Sequence, residues 1–171
     1  KYAFDREDAL KRILKGHGAL GNDHPISPSM RYYNKDLPQR QYDPDKANFH
    51  LKKSGMEGAS FELHGSEGLY PGCMDTILLF KEHAAKAGIN ITPKRMPNDG
   101  YWSEVWMKHP WFASYWSGRP TEDWMFTTTY SGTSNWNESR WKNSRFDQLL
   151  IAARAEIDEA KRRDMYGEMQ A

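Results

Sequence analysis

Between Ser60 and Ile91 the sequence passes from strand to helix to strand with almost no chain to spare. Ser60 to His64 read as a short strand. From about Met74 to Ala87, residues Ile77, Phe80, Lys81 and Ala84 recur at three- and four-residue spacing, and Gly88 stops the helix. Ile89 and Ile91 then alternate with polar neighbours, as a half-buried strand does. A unit of this kind makes its two strands parallel and its crossover right-handed. The class is therefore α/β, with a mixed sheet flanked by helices. Ligands of such sheets bind outside the carboxyl ends of the strands. Two loops fall there: His64-Gly65-Ser66-Glu67-Gly68 and Ser117-Gly118-Arg119-Pro120.

The remaining elements follow from caps and periodicity. Asp5 caps a first helix with Ala9, Leu10, Ile13 and Leu14 on one face and Gly16 at its end. Residues 16–41 read as loop, punctuated by Gly16, Gly18, Gly21, Pro25, Pro28 and Pro38. Asp43-Pro44 starts a second helix that runs to Lys53 or Ser54. Asp99 is expected to cap a short helix carrying Trp102, Val105 and Trp106 on one side. Trp111 to Trp116 has no alternation and predicts a strand buried on both faces. Phe146, Leu149, Leu150 and Ala153 open a last helical region that continues through Ile157, with a break near Asp158, towards Met165 and Met169.

Charge and composition remove several classes of function. The 171 residues carry 24 Lys plus Arg against 23 Asp plus Glu, a formal charge of +1. That balance argues against a nucleic-acid groove or a polybasic membrane surface. No apolar run approaches the ~20 residues that a helical span requires. Cys73 is the single cysteine, so an internal disulfide is impossible. Metal and catalytic templates fail. The six histidines show no H-E-x-x-H, and there is no C-x-x-C, no phosphate loop and no dinucleotide fingerprint. Gly65-Ser66-Glu67-Gly68 lacks the spacing of a nucleophile elbow. The expectation is a protein that binds without catalysing, with no metal and no cofactor. A chain that opens on Lys1 and stops at Ala171 within a helical pattern reads as a piece of a longer protein.

The binding candidates cluster late in the sequence. All seven tryptophans lie between Trp102 and Trp141. Each serves either an aromatic core or a pocket lined with flat apolar faces. Trp116, at the end of the predicted strand, is the first pocket candidate, followed by Trp102 and Trp136. Ser117, Gly118 and Arg119 come next in the chain. A guanidinium at Arg119 suits a carboxylate or phosphate, or pairs with Glu122 or Asp123 on the surface. Asp123 either accepts a hydrogen bond from a ligand or caps the segment 124–128; the cap is the expected role.

Several segments in order resemble one family. They are Phe4-Asp5-Arg6-Glu7, Gly16-His17-Gly18 and Asn22-Asp23-His24-Pro25-Ile26-Ser27-Pro28. Next come Tyr42-Asp43-Pro44-Asp45-Lys46-Ala47 and Ala87-Gly88-Ile89, then Tyr115-Trp116-Ser117-Gly118-Arg119-Pro120 with Asp123. Last come Phe146-Asp147-Gln148-Leu149-Leu150 and Arg162-Arg163-Asp164-Met165-Tyr166. In this order the chain resembles the second lobe of extracellular solute-binding proteins of family 5, the dipeptide, oligopeptide and nickel type.

The resemblance implies a periplasmic binding protein-like type II fold. Residues 1–171 would form the second, C-terminal lobe, truncated at both ends. The parent would be a monomer outside the cytoplasm, closing by a hinge on a small solute and passing it to the permease of an ABC importer. In peptide-binding members of the family an aspartate shortly after the strand tryptophan pairs with the peptide amino terminus. Arg119 stands there in this chain, which points away from ordinary peptides, unless Asp123 takes the role, and towards a solute with an anionic group, such as an opine-like or sugar conjugate. The alternative is a carbohydrate-binding or glycoside-processing module built on the tryptophans.

Overall fold

The computed structural model describes residues 1–171. The chain divides into two compact units, residues 1–20 with 40–116 and residues 21–39 with 117–171.

The first unit is organised by the predicted crossover. Strand β1 (Ser60–Gly65) and strand β2 (Asn90–Arg95) run parallel, in register from Ser60 opposite Asn90 to Gly65 opposite Arg95. Helix α1 (Arg6–Arg12) starts at Asp5, whose carboxylate accepts the Asp8 N–H at 3.0 Å. Helix α2 (Pro44–Lys53) starts at Asp43, which accepts the Lys46 N–H at 2.9 Å. Both caps stand where local chemistry placed them. Helix α3 (Cys73–Ala85) is the crossover. Its Cys73, Met74, Ile77 and Ala84 are buried with Leu63 and Ile91 of the strands.

That packing is close. A Cβ added to Gly65 would lie 2.2 Å from Cδ1 of Ile77 and 3.2 Å from Sδ of Met74. Gly88 ends the helical region with φ +74°, a conformation that costs glycine little.

Two strand-level expectations are corrected. The pairings are parallel throughout, so these residues hold a small parallel sheet rather than a mixed one. Trp111–Trp116 is not a strand buried on both faces. It joins β1 by a single bridge at Phe112, where the His64 N–H reaches the Trp111 carbonyl at 3.2 Å and the Ala113 N–H reaches the His64 carbonyl at 2.7 Å. Trp111, Phe112 and Trp116 are half-buried and Tyr115 is 51% exposed. The apolar residues of this run are largely aromatic, and they pack by ring edges rather than by strand burial. Trp111, for instance, meets Phe80 at 5.6 Å and 89°.

A third correction concerns Asp99. The next element is a single π-helical turn, Tyr101–Val105, capped not by Asp99 but by Gly100 at φ +77°. Tyr101 and Val105 are buried beneath it.

The second unit is helical. Helix α4 (Glu122–Thr129), helix α5 (Ser144–Ala155) and helix α6 (Glu159–Gln170) pack Met125, Phe126, Phe146, Leu149, Leu150 and Tyr166 together. The break expected near Asp158 lies between α5 and α6. Asp158 caps α6 by accepting the Ala160 and Lys161 N–H groups at 3.0 and 3.1 Å. The long loop of residues 21–39 is strapped to α6. Gln170 accepts the Asn34 N–H at 2.9 Å and donates to the Tyr32 carbonyl at 2.8 Å, and Tyr32 stacks on Tyr166 at 5.0 Å. No helix is long and apolar enough to cross a membrane.

Candidate functional site

Of the two loops expected at strand ends, only the first follows a strand, β1, and its buried side chains are engaged internally. Ser66 is fully buried and its hydroxyl donates to Oδ1 of Asn98, which also accepts the Gly68 N–H at 2.8 Å. A Cβ at Gly68 would come within 2.5 Å of the Asn98 side chain. His64 is buried too, with Nδ1 3.2 Å from the Trp111 carbonyl and its ring stacked on His109 at 3.9 Å. Lys94, 2.9 Å from Glu62, holds that carboxyl below its ordinary range. The buried polar side chains of this loop, His64 and Ser66, are engaged within the fold, while Glu67 and Gly68 are exposed.

The second loop is open. Ser117, Gly118 and Pro120 are exposed, and a Cβ at Gly118 would meet nothing within 4 Å. The Arg119 guanidinium folds back, donating from Nη1 to the Ser117 carbonyl at 3.1 Å and to the Ser117 hydroxyl at 3.2 Å. These contacts orient the guanidinium on Ser117. Trp116, just before this loop, is half-buried.

Glu122 and Asp123 are engaged elsewhere. Glu122 is buried and accepts the Tyr32 N–H at 2.6 Å. Asp123 does not cap α4: Thr121 does, accepting the Trp124 N–H at 3.2 Å. The Asp123 carboxylate lies in the first turn and takes Nε of Arg154 at 2.7 Å. The preference for Asp123 as cap fails because a hydroxyl two residues earlier already satisfies the helix start. The pKa of Tyr166 is pushed up to about 12, chiefly by burial and then by the charges of Asp123 and Glu122.

Trp102 and Trp136 occupy separate settings. Trp136 is half exposed in the loop that leads to α5, where its N–H reaches the Ser134 hydroxyl at 3.1 Å. Trp102 projects from the π-helical turn of the first unit and is 46% exposed. Its ring neighbours are Tyr101 at 5.8 Å, Trp106 at 6.0 Å and Tyr115 at 5.6 Å, all close to edge-on. Of the rings around Trp102, the four-residue step in the sequence signals Trp106, whereas nothing local signals Tyr115.

Two grooves lie apart from these residues. A groove of about 760 Å³ beside α2 is lined mainly by apolar side chains, among them Leu51, Phe61, Phe80 and Ile91. A smaller one of about 380 Å³ lies between α5 and α6. No group of three His, Cys, Asp or Glu side chains is placed to hold a metal ion.

Residues 1–138 match the model of the bacterial extracellular solute-binding proteins, family 5. The dipeptide-binding protein of Escherichia coli is 28% identical over 182 residues, covering 99% of this chain and 33% of that protein. Heme-binding protein A of Haemophilus influenzae is 25% identical, covering 99% of this chain and 32% of its own length. A periplasmic binding protein of Helicobacter pylori that is associated with an ABC transporter was solved with a bound peptide. It superposes with a TM-score of 0.86 at 22% identity, over 99% of this chain and 34% of that one. The chain thus spans about a third of the length of these relatives.

Proposed function

The chain belongs to the bacterial extracellular solute-binding proteins of family 5, and we propose that it forms the second lobe of the solute-binding component of an ABC importer. In this reading the parent protein works outside the cytoplasm as a monomer, closes on a small solute between two lobes, and delivers it to membrane permease subunits. It binds without catalysing. The relatives named above carry different cargoes, peptide in one and heme in another, so membership alone leaves the solute open. They lend no support to a carbohydrate-binding or glycoside-processing module.

The solute we propose carries an anionic group. The observation behind this is the exposed loop of residues 117–120, with the Arg119 guanidinium oriented on Ser117 and free space at Gly118. A guanidinium pairs with a carboxylate or phosphate and repels an ammonium group. The family's pairing of an aspartate with a peptide amino terminus is therefore not available at this position.

Calorimetry on the full-length protein tests the assignment, with carboxylate-bearing conjugates and free dipeptides as the panel. A carboxylate-bearing solute should bind, and Arg119→Ala should weaken it by at least about tenfold, the scale of a lost charged hydrogen bond. A loss within about threefold removes the anion assignment. Tight binding of dipeptides, insensitive to Arg119, replaces it with ordinary peptide capture.

A further inference from the structure

The hydrophobic core of the first unit runs out into the groove beside α2. Ala3, Ala47 and Ile91 belong to that core and are buried, yet all three line the groove of about 760 Å³. Phe80, Ile89 and Trp111 pack against the same core, line the same groove and are only half-buried.

A packed interior leaves few voids larger than a water molecule. Single apolar side chains at a surface are ordinary, whereas a broad apolar depression marks a surface that something covers. A groove floored by core residues is the side of a core that these residues leave uncovered.

Its wall indicates the occupant. Lys1, Tyr2 and Ala3 line the groove together with side chains of α2. They are held in place there. The Tyr2 carbonyl accepts the Asp43 N–H at 3.0 Å, and the Tyr2 ring lies parallel to that of His50 on α2 at 5.9 Å. Any chain that leads into Lys1 therefore arrives at the groove itself. The 171 residues span about a third of the length of the relatives named above. A segment tethered at Lys1 meets the groove at high effective concentration, without the entropic cost that a free ligand or a second copy incurs.

We infer that, in the full-length protein, the stretch leading into Lys1 lays apolar side chains into this groove and completes the core of the unit. The inference rests on the reading of the chain as one lobe of a longer protein. It assigns the groove to folding and not to solute capture.

The test uses the full-length protein carrying either Met56→Cys or Phe49→Cys. Met56 lines the groove and Phe49 does not. The two are 45% and 60% exposed here, and the native Cys73 is fully buried. Maleimide labelling is followed on the peptide that carries each position. Met56→Cys should react at least about tenfold more slowly than Phe49→Cys, because labelling then waits for local opening. A second measurement identifies the occupant. A photoreactive p-benzoylphenylalanine in place of Met56 should join, on irradiation, the peptide that precedes Lys1 in the same chain.

Comparable labelling of the two cysteines, or a photoproduct with no peptide attached, leaves the groove open in the whole protein and overturns the inference. Attachment to a second copy, or to a segment following Ala171, gives the groove another occupant and overturns it equally. These results leave solute binding, read by calorimetry on the same protein, untouched. A mature protein whose sequence begins at Lys1 overturns the inference together with the lobe reading beneath it.

Discussion

The imidazole of His83, near the end of α3, lies with Nε2 3.0 Å from Oδ2 of Asp8 on α1, across 75 positions of sequence. Its other nitrogen, Nδ1, accepts the Asp5 backbone N–H at 3.2 Å. An acceptor on Nδ1 carries no proton, so the neutral ring donates from Nε2 to the carboxylate. One buried side chain thus joins the first turn of α1 to the crossover helix. His83→Phe keeps the ring contacts to Phe4 and Tyr42 but leaves the Asp5 N–H without its acceptor. The expected loss is about 1–3 kcal/mol in urea unfolding. No loss would mean that water replaces the ring.

Acid should unfold the chain in two ranges. Burial lowers the pKa of His24 from its ordinary value, against the opposing charge of Asp23. A histidine held neutral in the folded state binds its proton more readily when unfolded, so stability falls as pH drops from about 6.5 through the folded value. Asp8, Asp43, Glu62 and Glu168 are also lowered. For Asp8, desolvation pushes upward and is outweighed by Arg12 and His83; Asp43 is lowered first by the Lys46 N–H of its helix cap. Lys94 lowers Glu62 and Arg145 lowers Glu168. Their contribution is present above the ordinary carboxylate range and is lost below about pH 4. Thermal melts across pH should show both declines, and His24→Gln should remove the upper one alone. A single decline confined to the carboxylate range would refute the role given to His24.

Gly65→Ala should destabilise by about 1–3 kcal/mol, because the new methyl group would overlap Ile77 in a filled core. Adding Ile77→Val removes the atom it strikes and should recover part of the loss, a coupling that a double-mutant cycle measures. Additive effects would show that α3 shifts away from β1 as a body.

Features set by neighbouring residues were legible in the sequence. Asp5 and Asp43-Pro44 cap the helices expected of them, and the crossover from Ser60 to Arg95 follows from spacing and a stop at Gly88. The reading erred where a contact distant in sequence decides. Asn98 seals a loop 30 positions before it, and nothing local to Ser66 announces that. The run Trp111–Trp116 looked like a buried strand because hydrophobicity cannot tell a ring packed by its edge from one packed on all sides. Thr121 displaced Asp123 as a cap because both residue types suit the role and only geometry ranks them. At the candidate site the loop at residues 117–120 was legible from Gly118 and Pro120. The support of Trp102 by Tyr115 was not, since it joins two elements through space.

Asn98 has a consequence for how freely these two loops can vary. By tying down the loop after β1, it leaves that segment little freedom to drift, since a new side chain at Gly68 would collide with the amide. The segment at 117–120 is under no such restraint, because a Cβ at Gly118 would meet nothing within 4 Å. Substitutions should therefore accumulate in the second loop while the first stands still.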